Sequence, residues 1–416
     1  MTDKTSGIDP IFIATFQFQI GQFTESEKSF HEILKEDPKN FQALVLLGNL
    51  ALMKNNFTKA EQYLLKASEI APQEPAPHAL LAETYYRQDK YQKASLHLRF
   101  YGINDMAERL ESFQDIQPYQ IVSDSDSYKI KILQVDPLPI IQVKINDLQP
   151  VNFLIDTGAA ELMIDLDFAK ENNLEIFGSK EGTFAGGMKA PINLGKIDSF
   201  TLGNLKVNNI PANFLPIRPI SQIFGGLRID GIIGTAFFYH FITTLDYPQG
   251  ELIFRKNTFD QLNKFENQIK NLDSIEIPFW LAEDHFMVAW GQVNDADLTL
   301  FFLDTGLAGG GFTGSKVTLD NASVVLDESK SFEGIGGGGK VKAIPFVIDK
   351  LAFGDAVERN INGVFAGSFP LEEKLGFKVG GIISHQFFRN YALTFDFIKM
   401  RFILIKKEEV NDQTQK

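Results

Sequence analysis

Two aspartates end closely matched apolar runs: Phe153-Leu-Ile-Asp156-Thr157-Gly158 and Phe301-Phe-Leu-Asp304-Thr305-Gly306. A carboxylate at the mouth of a buried strand is costly unless hydrogen bonds or a partner compensate it. One Asp-Thr-Gly alone reads as a turn, because Asp and Gly are common turn formers. Two copies open another chemistry. Carboxyl groups brought close together cannot both ionise easily, so they share a proton, and one can act as general base while the other acts as general acid.

The surroundings of the two aspartates also repeat. Asp230-Gly231-Ile232-Ile233-Gly234 with Phe237-Phe238 is answered by Gly380-Gly381-Ile382-Ile383-Ser384 with Phe387-Phe388. Gly231 lies 75 residues after Asp156, and Gly381 lies 77 after Asp304. Leu202-Gly203 with Asn209-Ile210 matches Phe353-Gly354 with Asn360-Ile361, and Thr244-Leu245-Asp246 matches Thr394-Phe395-Asp396. Such a repeat constrains the architecture: residues 128–262 and 263–408 read as two versions of one domain in tandem.

The N-terminal part has a different period. Phe23, Phe57 and Tyr91 are spaced by 34, as are Ser26, Ala60 and Ala94, and Phe30, Leu64 and Leu98. Small residues flanked by large apolar ones at helical spacing describe two helices packed closely as a hairpin. The middle unit, with Leu44, Leu47, Gly48, Phe57, Ala60, Leu64, Ala67 and Pro72, resembles the tetratricopeptide repeat. We expect three such units over 7–113, with a capping helix over Asp105–Phe113. That resemblance implies a concave face able to hold a protein partner or substrate segment. The competing reading is an array that is only a spacer or that docks on the rest of its own chain. Residues 114–127, polar and containing Ser-Asp-Ser-Asp-Ser, read as a linker.

From Tyr128 onward, short apolar or alternating runs are separated by Pro, Gly and Asn-Asp, the pattern of a β-rich fold. One helix is expected over Asp165–Asn172, and residues 409–416 read as a polar, disordered tail. In the 416 residues, 44% are apolar and 22% charged, as in globular chains with ample core. A net charge of −13 argues against nucleic acid as the main partner. Without cysteine there is no disulfide, thiol nucleophile or thiolate metal site. The six histidines, His31, His78, His97, His240, His285 and His385, show no metal-ligand spacing, so no metal or other cofactor is expected. No run approaches a membrane span and no export signal is visible, so a cytoplasmic location is expected, with export under a missing signal as the alternative.

The paired Asp-Thr-Gly motifs, each followed by Gly-Ile-Ile, resemble the aspartic peptidases. Each half resembles a retropepsin unit, and the pair resembles a retropepsin dimer fused into one chain. The implied fold class is an all-α repeat solenoid followed by an all-β, bilobal aspartic-protease fold. The resemblance implies that Asp156 and Asp304 meet between the lobes and activate a water for peptide-bond hydrolysis. It further implies that Thr157 and Thr305 cross-link the two loops, while Gly158 and Gly306 permit tight turns beside the carboxylates. Glycine clusters begin 26 residues after Asp156 and 30 after Asp304. They comprise Gly182, Thr183, Phe184, Gly186 and Gly187 in the first half, and Gly334, Ile335, Gly336, Gly337 and Gly338 in the second. In retropepsins this is where a flap closes over a polypeptide substrate, so two flaps are expected here.

The pattern also departs from the family. Ala159 and Leu307 replace a hydroxyl residue that, in pepsin-like members, hydrogen-bonds the catalytic carboxylate. Its loss stabilises the ionised form less, which raises the pair's pKa and predicts activity at mildly acidic to near-neutral pH. Ser384 stands where the family has glycine, as Gly234 does in the first half. This favours a second reading, a catalytically silent peptide-binding scaffold of the same fold.

Overall fold

A computed structural model describes residues 9–183, 189–336, 339–367 and 371–407. Seven helices come first: α1 (Pro10–Gln19), α2 (Phe23–Glu36), α3 (Phe41–Met53), α4 (Phe57–Ile70), α5 (Pro75–Tyr86), α6 (Tyr91–Phe100) and α7 (Asn104–Glu111). Side chains that accept the first free N–H groups start several of them. Asp9 caps α1, Asn40 caps α3 and Asn56 caps α4, while proline opens α1 and α5, where its missing N–H costs nothing. Phe23, Phe57 and Tyr91, the residues spaced by 34, each open the second helix of a pair. Ser26, Ala60 and Ala94 are fully buried beside Phe30, Leu64 and Leu98. At Gly48 a side chain would meet Leu64 at 2.6 Å, so the pairs approach at a distance that only small residues allow.

A left-handed residue closes each hairpin: Gly21 (φ 80°), Asn55 (φ 52°) and Asp89 (φ 57°), again spaced by 34. All three rest on the β-rich part of the chain. Gly21 lies against Leu300 and Trp290, the Asn55 amide reaches the Phe397 carbonyl, and the Asp89 carboxylate meets His240 Nε2 at 3.1 Å. Phe18 and Phe23 pack edge-on against Phe377, with centroids 5.8 and 5.0 Å apart. Each such buried ring contributes about 2 kcal/mol of transfer free energy. The array therefore docks along its own chain.

Two β-sheets follow with the same connectivity. In the first, Ile140–Ile145, Val151–Ile155, Gly231–Ile233, Leu162–Asp165, Leu205–Leu215 and Lys189–Leu202 pair in that order, and the last returns to pair with the first. In the second, the same closed ring is made by Phe286–Val293, Thr299–Asp304, Gly381–Ser384, Phe312–Gly314, Ala356–Phe365 and Gly339–Phe353. Closure leaves no open edge within the ring. Each ring extends a hairpin: Ile176–Thr183 on Lys189–Leu202, and Phe332–Gly336 on Gly339–Phe353.

A third, six-stranded antiparallel sheet joins the halves. At its centre Phe241–Asp246 pairs with Tyr391–Asp396, with Thr244 directly opposite Thr394 and their hydroxyls 2.8 Å apart. Equivalent residues of the repeat face one another there, as a local two-fold axis requires. Two stretches differ from the sequence reading. The 114–127 segment is not free chain: Tyr119 is buried, stacked on His240, and Gln120–Ile121 pairs with Leu205–Leu215. The boundary drawn at 262 falls inside the amphipathic helix Phe259–Ile269, whose Leu262, Phe265 and Ile269 cover the joining sheet beside Ile242 and Ile403. Local polarity marked the first stretch as a linker, but its few apolar residues find distant partners. Residues 409–416 lie outside the described residues.

Candidate active site

Each Asp-Thr-Gly turn leaves the end of a buried strand that runs parallel to a short glycine-led strand. Val151–Ile155 pairs with Gly231–Ile233, and Thr299–Asp304 pairs with Gly381–Ser384. Glycine at 231 and 381 is a packing requirement, since a side chain would enter the ring of Phe153 or Phe312 at 2.1 or 2.2 Å. Thr157 and Thr305 are fully buried and exchange four hydrogen bonds. The Thr157 hydroxyl donates to the Leu303 carbonyl (2.9 Å) and accepts from the Thr305 N–H (3.0 Å). The Thr305 hydroxyl donates to the Ile155 carbonyl (3.0 Å) and accepts from the Thr157 N–H (3.0 Å). Both threonine hydroxyls and both threonine N–H groups at the crossing are thereby satisfied.

The crossing brings Asp156 and Asp304 within hydrogen-bonding reach of one another. Asp156 Oδ1 accepts from the Gly158 N–H and Asp304 Oδ1 from the Gly306 N–H, each at 2.8 Å. The two glycines are needed for a reason other than backbone torsion, since neither has a positive φ. A side chain at Gly158 would meet the Asp304 carboxyl at 2.6 Å, and one at Gly306 would meet Asp156 at 2.1 Å. Each carboxyl thus sits over the glycine of the opposite turn.

Burial raises both acids above the ordinary carboxylate range. For Asp156 the hydrogen bond with Asp304, the neighbouring backbone N–H groups and the charge of His285 draw it partly back. For Asp304 the charge of Asp156 adds to burial and drives it well above that range. Two carboxyls this close titrate as a unit. His285, on the turn between strands Trp280–Ala282 and Phe286–Val293, is paired to Asp284 at 2.5 Å. Sequence reasoning missed that pair, because nothing local in Glu283-Asp284-His285 distinguishes it from an exposed turn.

The proposed flap residues are divided. Gly182 and Thr183 lie in the first extended hairpin, with Gly182 opposite Ala190, and Gly334, Ile335 and Gly336 lie in the second, with Gly334 opposite Val341. Phe184, Gly186, Gly187, Gly337 and Gly338 lie outside the described residues. Ser384 is accommodated: fully buried, its hydroxyl donates to the Gly310 carbonyl (2.7 Å) and accepts from the Gln386 N–H (3.1 Å). Gly234 has no such room, since a side chain there would meet the Glu161 carbonyl at 2.4 Å. The halves solve the same crossing differently. The next residue differs too: Thr235 donates to the Thr157 carbonyl (2.9 Å), whereas His385 occupies the matching place near Thr305.

Asp246 and Asp396 accept backbone N–H groups of the turns that follow them. Two surface hollows, around Phe168, Glu171 and Arg228 and around Tyr91, Phe113 and Pro118, lie apart from the carboxyl pair. Among the described residues, no group of three His, Asp or Glu side chains could hold a metal ion. No helix among them is long and apolar enough to cross a membrane.

No curated protein matches the chain. Among solved structures, conglutin gamma, a basic 7S globulin from lupine seeds, aligns at 12% identity with a TM-score of 0.41. The alignment covers 68% of this chain and 96% of that one, and is too distant to bear on fold or activity. Residues 18–84 match the tetratricopeptide repeat family, and residues 141–237, which hold the first Asp-Thr-Gly, match the aspartyl protease family. The chain thus joins a region that matches tetratricopeptide repeats to one that matches an aspartyl protease domain.

Proposed function

We propose that the protein is an aspartic endopeptidase whose two carboxyl groups, Asp156 and Asp304, activate one water between them. The reading is carried by one observation: two half-buried acids from matched turns lie in hydrogen-bonding reach, with a crossed pair of threonines beneath them. The carboxyl that holds the shared proton donates it to the carbonyl oxygen of the scissile bond. Its ionised partner takes the proton of the attacking water. The tetrahedral intermediate collapses as a proton passes to the leaving nitrogen, and no acyl-enzyme forms. Each half is a retropepsin-like lobe, and the hairpins carrying Gly182 and Gly334 act as flaps over an extended polypeptide. The repeat array recruits substrate or a protein partner on whatever of its concave face the docked β-rich region leaves free.

Peptide-library cleavage by the wild type, Asp156→Asn and Asp304→Asn tests the assignment. Loss of cleavage in both variants supports the dyad, and unchanged cleavage in either removes it. A second reading, a silent peptide-binding scaffold, draws on Ser384. The hydrogen bonds of that residue weaken it, because the hydroxyl supports the second loop rather than displacing it.

A further inference from the structure

Glu161 lies on the first active-site loop, five residues beyond Asp156, and its side chain is only 4% exposed. A lone carboxylate buried there requires a partner, and the helical array supplies it. Arg109 of α7, fully buried, grips both oxygens, with Nη2 to Oε1 at 2.8 Å and Nη1 to Oε2 at 2.9 Å. The hydroxyl of Tyr86, the last residue of α5, donates to Oε1 as well. Arg109 also reaches Asn213 Oδ1 at 3.3 Å, on the strand that pairs with Leu162–Asp165. A planar guanidinium gripping two oxygens fixes direction as well as distance.

The same loop is pinned elsewhere by its own domain. Gly158 N–H bonds Asp156, and the Ala159 and Ala160 carbonyls accept from Thr235 (2.9 Å) and Ala236 (2.7 Å). Thr157 is tied to Leu303 and Thr305 of the other half, and the far end of the loop, at Glu161, is held by the helical array. Among the described residues the second loop has nothing equivalent: by strand register the place of Glu161 is taken by Gly311, which has no side chain. The array therefore supports one loop of the two.

We propose that Arg109 and Tyr86 are positioning residues for Asp156, so that the helical array completes the active site rather than serving only as a recruiting module. This rests on the peptidase reading above, and the test is arranged so that each can fail alone. Full-length Tyr86→Phe and Glu161→Gln are compared with wild type by amide hydrogen exchange and by cleavage of a peptide too short to touch the array. Arg109→Lys is a third variant, and the milder two carry the test if it does not fold.

The expected exchange result is a rise of at least about fivefold in the segment 153–163, with the matching segment 301–313 unchanged. The expected kinetic result is a kcat about ten- to a hundredfold lower with KM within about twofold, the signature of misplaced chemistry rather than lost binding. Unchanged exchange at 153–163, or an equal rise in both segments, overturns the proposal. So does an unchanged kcat with a raised KM confined to long protein substrates, which would leave the array a recruiting role only. If the wild type cleaves no peptide, the peptidase reading falls and the exchange comparison still decides whether the array holds the loop.

Discussion

Replacing His385 by threonine tests how the second loop is supported. His385 is fully buried at the end of strand Gly381–Ser384, and among the described residues neither ring nitrogen has a well-aligned hydrogen-bond partner. The groups that act on it are Arg389, whose charge disfavours protonation, Asp136, whose charge favours it, the Thr305 backbone and the ring of Tyr247. Burial dominates and pushes the imidazole down to about 4 from 6.5. The folded protein keeps the ring neutral while the unfolded chain binds a proton as pH falls below 6.5. This contribution to stability is therefore intact above 6.5 and is lost progressively toward pH 4. Between pH 7 and pH 4.5 the loss amounts to about 2 kcal/mol. Threonine, the residue at the matching position 235, has no charge to gain and can donate to the Thr305 carbonyl as Thr235 does to Thr157.

Urea unfolding of wild type and His385→Thr at the two pH values isolates the effect, because all other groups titrate alike in both proteins. The variant should lose about 2 kcal/mol less than wild type over the interval. Equal losses would show that the ring is protonated or solvated in the fold, and the reasoning from its burial would be wrong.

Three further outcomes follow from the same geometry. Thr157→Val leaves the Leu303 carbonyl and the Thr305 N–H buried without partners, and should cost about 2–4 kcal/mol by calorimetry. Combining it with Thr305→Val should cost less than the sum, since the two share one network. Ser384→Gly should cost only about 1 kcal/mol through the lost Gly310 bond, whereas Gly234→Ser drives the loop away from the Glu161 carbonyl and should abolish cleavage; comparable effects would contradict the asymmetry. Burial and mutual charge raise the dyad, so the singly protonated form persists into weakly acidic and neutral solution, and kcat/KM on a short peptide should peak there. A sharp optimum in strong acid would contradict it.

The helices of the array and the doubled strand-and-turn pattern were legible in the sequence because they rest on local periodicity. A period of 34 names the residues that must be small or large wherever the helices settle, and an apolar run ending in Asp-Thr-Gly marks a strand end in either half. The flap tips carried a compositional signal whose geometry lies outside the described residues. What local pattern could not supply is contact between segments far apart in the chain. Gly21, Asn55 and Asp89 recur at the array's own period, yet nothing nearby says that they rest on Leu300, the Phe397 carbonyl and His240. Glu161 offered one usable hint, a lone carboxylate between Ala159-Ala160 and Leu162-Met163-Ile164, which burial would force to find a cation. That the cation is Arg109, 52 residues upstream in another domain, was decided only when the array closed against the first barrel and excluded water from both charges.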